Sequence, residues 1–270
     1  DAYFHAKLRL FADVLDPDGV AVVWADDPHS PRVEELARMR GNRLVTVGEH
    51  GETLKLIARD PTLLGQGLTI EAGGETYRVN LPLIGAYQAA NALVAAGLVI
   101  ATGGDVIQTL GDLSRLQPVR GRLERAVITK QGAPVYVDYA HTPDALEAAI
   151  AALKPHTAGQ LIIVFGAGGD RDTGKRAPMG QAAAAGADIV IVTDDNPRSE
   201  DPAAIRAQVL EGAPEAIEIG GRRGAIKAAI EMAGSEDIVL IAGKGHEQGQ
   251  IVGDMVLPFD DVAVARECAA

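Results

Sequence analysis

The sequence has little cysteine, no long apolar run and a shortage of positive charge. Its single cysteine, Cys268, cannot form an internal disulfide, which excludes a disulfide-stapled secreted scaffold. The longest uninterrupted apolar run, from Ala92 to Ala101, is too short to cross a bilayer. The 25 basic and 37 acidic residues give a formal net charge of −12, which argues against non-specific binding to nucleic acid or to anionic membranes. An anionic substrate would therefore need positive charge gathered locally.

The start of the chain carries no charged, apolar, small-residue leader, so we expect a cytoplasmic protein without membrane insertion. Its 270 residues, 47% of them apolar, can bury a sizeable core, which excludes intrinsic disorder. Because Asp1 is not an initiator and a helical pattern is already under way at Ala2, we expect a piece of a longer protein.

Two domains are predicted. The first part alternates strands and helices around one hairpin, and the run from Gln117 to Gly121 breaks any helix and predicts a linker. Short β-branched apolar runs then alternate with helices, which is typical of parallel strands buried on both faces. We predict an α/β fold in which residues 1–121 form one domain and residues 122–270 a Rossmann-like, doubly wound, mainly parallel sheet.

Three strongly apolar strands of the second domain end in polar loops, at residues 166–176, 193–198 and 242–247. Ligands of open parallel sheets bind at the carboxyl ends of the strands, so these loops predict one shared pocket. Its charged and polar groups would be Arg171, Arg176, Arg198, Lys244, Asp195, Asn196 and Glu247. Such a pocket suits a zwitterion, because arginine grips a carboxylate at two points while a carboxylate receives an ammonium group. The alternative is a set of ordinary turns with solvated charges.

Two common phosphate-binding motifs are incomplete in this sequence. Gly166 and Gly168 begin a dinucleotide fingerprint, but Arg171 stands where its third glycine belongs. Neither Gly-Lys pair, at Lys175 or at Lys244, is followed by the serine or threonine of a phosphate loop. The chain therefore carries no triphosphate cradle of its own.

Lys7 shares the apolar stripe of its helix with Phe4 and Phe11. A partly buried lysine here would favour a neutral amine able to react with carbon dioxide. The alternative is an ordinary lysine whose stem covers apolar surface while its ammonium group stays in water.

Asp138 and His141 lie where a strand becomes a helix, and they are either binding residues or turn and capping residues. Thr142 and Ser30 each precede a proline, and each is predicted to cap the helix that begins there. Asn91 is a polar residue early in an alanine-rich helix, and alone it is a weak signal.

Together these segments resemble the Mur ligase family, in particular its diaminopimelate-adding members. The resemblance spans nearly the whole chain and rests on residues 2–11, 85–91, 121–124 and 138–144 with the three pocket loops. Its most specific part is Asp195-Asn196-Pro197-Arg198, which resembles the segment that marks the diaminopimelate-adding members. The family implies an ATP-dependent amide ligase that joins meso-diaminopimelate to the D-glutamate of UDP-N-acetylmuramoyl-L-alanyl-D-glutamate.

The resemblance also implies residue roles. Lys7 would be carbamylated, and its new carboxylate would help to hold magnesium. The residues at the nucleotide would be Asn91, Arg122, Asp138 and His141. The diaminopimelate residues would be Arg171, Asp195, Asn196, Pro197, Arg198, Gly243 and Glu247. Arg198 would pair with the distal carboxylate that lysine lacks, which favours diaminopimelate over lysine.

The sequence departs from the family in one large respect. Family members carry a domain for the UDP end of the substrate and a central domain that opens with a phosphate loop, and neither is recognisable here. Residues 1–121 are therefore expected to be the later part of the central ATP-binding domain, and we expect the chain alone not to complete the ligation. The alternatives are a lysine-adding relative, against which Arg198 argues, and a non-catalytic amino-acid-binding module.

Overall fold

The computed structural model describes residues 2–270. The chain divides into two compact units, Asp1–Leu116 and Gln117–Ala270. Both combine helices with a sheet that contains parallel strands, which confirms the predicted α/β class. The assignment of residues 1–121 and 122–270 as functional domains stays a prediction.

The first unit alternates helices and strands and then forms an antiparallel meander. Its elements are α1 (Ala2–Arg9) continued by a π-helical turn (Leu10–Val14), β1 (Val20–Trp24), α2 (Ser30–Met39), β2 (Arg43–Gly48), β3 (Leu54–Thr62), β4 (Gly65–Ala72), β5 (Glu75–Leu81), α3 (Ala86–Ala101), α4 (Val106–Asp112) and a 3-10 turn (Leu113–Arg115).

The first sheet has the order β1-β2-β3-β4-β5. Its first three strands are parallel and its last two pairings are antiparallel. The alanine-rich helix α3 packs closely on β1 and β2, because a Cβ on Gly97 would lie 3.0 Å from side-chain atoms of both Val22 and Val47. A glycine inside this helix therefore permits the close contact between helix and sheet.

The second unit begins with a hairpin and continues as alternating helices and strands. Its elements are β6 (Glu124–Ile128), β7 (Pro134–Asp138), α5 (Pro143–Leu153), β8 (Leu161–Phe165), α6 (Arg176–Gly186), β9 (Ile189–Val192), α7 (Pro202–Leu210), β10 (Ile217–Glu218), α8 (Arg222–Met232), β11 (Ile238–Ala242), β12 (Gly249–Val252), β13 (Met255–Pro258) and α9 (Asp261–Ala269).

The second sheet has the order β10-β9-β8-β11-β7-β6, and all its pairings are parallel except that of β6 with β7. Alternate strand residues, such as Val135, Ile162 and Val239, pack against α8 and α9 in one core. Because successive side chains point to opposite faces, the intervening residues face the other layer of helices. The last strand to join this sheet, β11, lies between β7 and β8, so the chain turns back across the sheet only after β10.

Two predicted helix starts have different outcomes. Thr142 caps α5, where its hydroxyl accepts the N–H of Ala145 at 3.3 Å, so that prediction is confirmed. Ser30 was expected to cap α2 and does not, because its hydroxyl donates to the carbonyl of Trp24 and His29 takes the cap position. Within residues 2–270, no helix is both long enough and apolar enough to cross a membrane.

Candidate functional site

A cavity of about 270 Å³ lies at the carboxyl edge of the second sheet. The loops that follow β7, β8, β9 and β11 meet there, since β11 lies between β7 and β8. The cavity is lined by Tyr139, His141, Gly166, Ala167, Gly168, Arg171, Lys175, Asp195, Asn196, Arg198, Gly243 and Glu247. The three polar loops singled out in the sequence thus contribute to one cavity.

The loops after β8 and β9 touch through their backbones. The N–H of Gly169 donates to the carbonyl of Asn196 at 2.9 Å, and a Cβ on Gly169 would lie 1.9 Å from the carbonyl oxygen of Pro197. A Cβ on Gly166 would lie 2.4 Å from the carbonyl oxygen of Thr193. Glycine is required at both positions for the loops to approach each other.

Arg198 is turned into this contact rather than toward bulk water. Its Nη1 donates to the carbonyl of Gly169 at 2.7 Å, and the side chain lines the cavity half-buried. Its backbone has a φ of +53°, a conformation that side chains rarely adopt. Two backbone hydrogen bonds hold it there, to the carbonyl of Ile251 at 3.0 Å and from the N–H of Gly253 at 2.7 Å. The hairpin of β12 and β13 therefore fixes the residue that we expect to bind a carboxylate.

Asp195 contributes a negatively charged side chain to the same cavity. A Cβ on Gly243 would lie 2.7 Å from its Oδ2, and Gly243 has a φ of +116°, so only glycine suits that position. Behind it, Arg222 and Asp261 form an ion pair of 2.7 Å in which both side chains are 0% exposed. Arg222 also reaches Asp195 Oδ2 at 4.0 Å. The buried Arg222 therefore connects Asp195 to Asp261 behind the cavity.

Asn196 and Glu247 contact each other across the same cavity. The Nδ2 of Asn196 donates to Oε2 of Glu247 at 3.0 Å. The carboxylates of Glu247 and Asp195 and the guanidinium of Arg198 all line the cavity. The site thus offers acceptors for an ammonium group and a donor for a carboxylate, as a zwitterionic ligand requires.

The positive charges of the cavity differ from those that the sequence suggested. Arg176 and Lys244 were expected to supply them, but both side chains are buried and neither lines the cavity. Arg171 does line it, as expected, and is exposed. Lys175, which the prediction passed over, also lines it, and partial burial lowers its pKa. The two expectations are wrong because loop position alone does not show which way a side chain turns.

Arg176 instead joins the loops beneath the cavity. It binds Glu200 through two hydrogen bonds of 2.9 and 2.8 Å and donates to the carbonyl of Gly168 at 3.1 Å. Glu200 also accepts the N–H of Asp170 at 2.6 Å. Hydrogen bonds from Arg176 and then from Asp170 lower the pKa of Glu200 to about 2. This ion pair connects the loop after β8 to the segment that leads into α7.

Asp138 ends β7 and organises the loop that follows it. Its two carboxylate oxygens accept the N–H groups of Leu123 and Ala140, each at 2.8 Å. Burial raises the pKa of Asp138, and the two backbone hydrogen bonds oppose that rise. Because both oxygens already bind backbone, Asp138 is a turn-forming residue whether or not it also contacts a ligand.

Tyr139 is surrounded by three cationic or aromatic groups. The guanidinium carbon of Arg122 lies 5.0 Å from its ring centroid, and the rings of His141 and His246 lie 4.6 and 5.1 Å away. Lys175 donates to the carbonyl of His141 at 2.9 Å, which connects this cluster to the cavity. The structure thus brings Arg122, Asp138 and His141 together, and it adds Tyr139 and His246, which the sequence analysis did not select.

The two candidates in the first unit lie on different helices. Lys7 is on α1 and Asn91 on α3, and both side chains are exposed. Of the two alternatives for Lys7, the structure shows the exposed side chain and not the partly buried one. The apolar stripe of α1 is largely uncovered, with Tyr3 76% exposed, and the Lys7 ammonium lies 5.4 Å from the Tyr3 ring centroid. Across residues 2–270, no group of three or more His, Cys, Asp or Glu side chains is arranged to hold a metal ion.

Sequence models of two domains match this chain. The Mur ligase middle domain matches residues 1–99, and the Mur ligase glutamate ligase domain matches residues 121–245. The chain belongs to the Mur ligase family. Both the parallel-rich sheets and the carboxyl-edge cavity described above are therefore features of a Mur ligase chain.

Curated relatives agree with this family assignment. A UDP-N-acetylmuramoyl-L-alanyl-D-glutamate–2,6-diaminopimelate ligase of Zymomonas mobilis subsp. mobilis is 60% identical over 271 residues, which cover 99% of this chain and 56% of that protein. The ligase of the same name from Caulobacter vibrioides is 55% identical over 264 residues, covering 97% and 54%. The chain thus spans about half the length of the curated relatives it matches.

Solved structures share the fold. A structure of a UDP-N-acetylmuramoyl-L-alanyl-D-glutamate–2,6-diaminopimelate ligase has a TM-score of 0.78 and 36% identity, covering 99% of this chain and 56% of that one. A Mycobacterium tuberculosis folylpolyglutamate synthase has a TM-score of 0.60 at 21% identity, covering 92% and 54%, and shows the fold alone.

Proposed function

We propose that this chain supplies the amino-acid pocket of an ATP-dependent ligase that adds meso-diaminopimelate to the D-glutamate of UDP-N-acetylmuramoyl-L-alanyl-D-glutamate in cytoplasmic peptidoglycan synthesis. The names of the relatives support the activity, and because the chain spans about half their length, we assign the ligation to the whole protein. The observation that carries the proposal is the half-buried Arg198 guanidinium, which lines one cavity together with the carboxylates of Asp195 and Glu247.

The charge arrangement supports diaminopimelate over lysine. Diaminopimelate ends in a carboxylate beside an ammonium group, whereas lysine ends in an ammonium group alone. Arg198 would receive the distal carboxylate, and Asp195 and Glu247 would receive the ammonium group. With lysine bound, the arginine would lack its partner and a second cation would face it. Arg171, Asn196, Pro197 and Gly243 would complete the pocket.

The reaction needs an activated acid. ATP would transfer its terminal phosphoryl group to the side-chain carboxylate of D-glutamate, giving an acyl phosphate and ADP. The neutral amine of diaminopimelate would then attack the acyl carbon, so that the amide forms and inorganic phosphate and a proton leave. In this chain we assign Asn91, Arg122, Asp138 and His141 to the nucleotide. The exposed side chains of Arg122 and His141 offer hydrogen-bond donors. The carboxylate of Asp138 accepts the backbone N–H groups of the residues next to them, Leu123 and Ala140.

Magnesium is the less supported cofactor. The exposed Lys7 amine is accessible to carbon dioxide, and a carbamate there would offer one hard oxygen ligand of the kind magnesium prefers. Among residues 2–270, no three His, Cys, Asp or Glu side chains are grouped so that they could hold a metal ion. They do not make a complete magnesium site, so any bound ion needs ligands from ATP, from water or from the rest of the protein.

Calorimetry on this chain tests the pocket. We expect meso-diaminopimelate to bind at least about tenfold more tightly than L-lysine, a difference of about 1.4 kcal/mol or more. Arg198→Ala should narrow that ratio toward one, because the partner of the distal carboxylate is gone. Arg223→Ala is the matched control, since Arg223 is an exposed arginine paired with Glu267 on α9. Equal affinity of the parent chain for the two amino acids would contradict the assignment of the pocket to diaminopimelate.

A further inference from the structure

A fully buried lysine lies behind two residues of the proposed pocket. Lys244 follows β11, and its side chain is 0% exposed. Burying an ammonium group costs several kcal/mol unless it is well paired. Its partners therefore decide what it contributes to the site.

Both partners of Lys244 line the cavity. Its Nζ donates to Oδ1 of Asn196 at 2.8 Å and reaches Oε2 of Glu247 at 3.3 Å. The same Asn196 Oδ1 also accepts the N–H of Ile251 at 3.0 Å. One amide oxygen thus receives two donors, one of them charged.

This arrangement determines the orientation of the Asn196 amide. With Oδ1 on Lys244 and Ile251, the Nδ2 group faces Glu247 and donates to its Oε2 at 3.0 Å. A rotated amide would set its NH2 group against the ammonium of Lys244 and the N–H of Ile251, where it finds no acceptor. Such a clash of donors is costly in a buried place.

We propose that Lys244 is a positioning residue, which holds Asn196 and Glu247 in the one arrangement that can bind the ligand. The proposal rests on the function proposed above. The second hydrogen of Asn196 Nδ2 would donate to a ligand carboxylate. Asn196 and Lys244 both donate to Oε2 of Glu247, which leaves its Oε1 to accept from a ligand ammonium group. Lys244 itself touches no ligand and acts through these two side chains.

A purely structural role makes a different prediction. If Lys244 only filled space in the core, its loss would lower stability and would affect binding independently of Asn196. If it positions Asn196, the two residues act as a unit and their substitutions are not additive. A double-mutant cycle therefore separates the two roles.

The variant is Lys244→Met, which keeps much of the length of the side chain and removes the donor. We expect it to weaken binding of meso-diaminopimelate by about tenfold or more, measured by calorimetry on folded protein. In an Asn196→Ala background the same change should weaken binding clearly less, because only its effect through Glu247 remains. Lys227→Met is the control that removes one positive charge, because Lys227 is an exposed lysine on α8. It should leave binding unchanged.

Nitrogen–proton NMR of the chain without ligand gives a second readout. The side-chain NH2 signals of Asn196, assigned by their loss in Asn196→Ala, should be distinct and slow to exchange in the parent and in Lys227→Met. In Lys244→Met they should move and exchange faster. If Lys244→Met fails to fold, Lys244→Gln is measured in the same way.

Two results would overturn the proposal: equal effects of Lys244→Met in both backgrounds, or Asn196 signals that do not change in it. A parent chain that does not bind meso-diaminopimelate would instead count against the proposed function. The NMR comparison would still decide whether Lys244 sets the Asn196 amide.

Discussion

Gly168 leaves the space in which the Arg198 guanidinium lies. A Cβ at this position would be 3.0 Å from Nη1 of Arg198, closer than nearly all real contacts of that kind. Since Nη1 is the far end of a flexible side chain, the guanidinium can move by a few tenths of an ångström. We expect Gly168→Ala to weaken binding of meso-diaminopimelate severalfold, by calorimetry, with little change in the melting temperature.

Gly111→Ala is the control for this substitution. Gly111 lies inside α4 of the first unit, and a Cβ there would meet nothing within 4 Å. It should leave binding unchanged and stabilise the helix by about 0.5–1 kcal/mol. Unchanged binding by Gly168→Ala would show that Arg198 does not need its observed position.

For single residues, the sequence predicted which residue types lie near the cavity better than it predicted which way their side chains point. Arg198 was expected at the cavity and lies there, while Arg176 and Lys244 were expected there and are buried. All three stand in polar loops after apolar strands, so their local patterns are alike. What separates them is the set of partners, such as Glu200 for Arg176, which lie far along the chain.

Among the elements, the hairpin of β12 and β13 holds the backbone of Arg198, a role that its sequence did not indicate. The sequence analysis did not predict the hairpin, because the residues of β13 do not alternate between apolar and polar types. In the structure Ile251 of its first strand and Gly253 of its turn both hydrogen-bond to the backbone of Arg198. The backbone strain at Arg198 is therefore stabilised by an element about fifty residues later.

The ion pair between α6 and the start of α7 predicts a pH dependence. The pKa of Glu200 is about 2 in the folded chain, below its ordinary value of 4.5, so the unfolded chain binds more protons between these values. Its stabilising contribution is complete above about pH 4.5 and is lost as the pH falls toward 2. Glu200→Gln should therefore flatten the loss of stability between pH 4.5 and 2, as measured by chemical denaturation at successive pH values.

Glu231→Gln is the matched control for that experiment. Glu231 is an exposed glutamate paired with Lys227 on α8, so its substitution changes the net charge equally. It should keep the acid dependence of the parent chain. The account of the Arg176–Glu200 pair is wrong if Glu200→Gln keeps that dependence as well.

For the molecule as a whole, the sequence predicted the second sheet better than the first. The strands β8, β9 and β11 are short β-branched runs bounded by polar loops, and such a pattern is typical of buried parallel strands. The strand β3 was missed, since Asp60 and Pro61 within it argue against a strand. The insertion of β11 between β7 and β8 depends on long-range pairing that no local pattern contains.

The positive side chains of the cavity contrast with the negative net charge of the whole chain. A chain with a formal net charge of −12 repels anions on average, yet Arg171, Lys175 and Arg198 line one cavity. The two carboxylates in the same cavity then favour a ligand that carries both signs of charge. Binding of a simple dicarboxylate should accordingly be weaker than that of a zwitterion.

The most direct test of this account is a crystal structure of the chain with meso-diaminopimelate bound. The account predicts the ligand in the carboxyl-edge cavity, with its distal carboxylate about 2.7–3.1 Å from the Arg198 guanidinium and its ammonium group against Glu247 or Asp195. A ligand bound elsewhere, or with its distal carboxylate in water while Arg198 keeps its contact with Gly169, would contradict it.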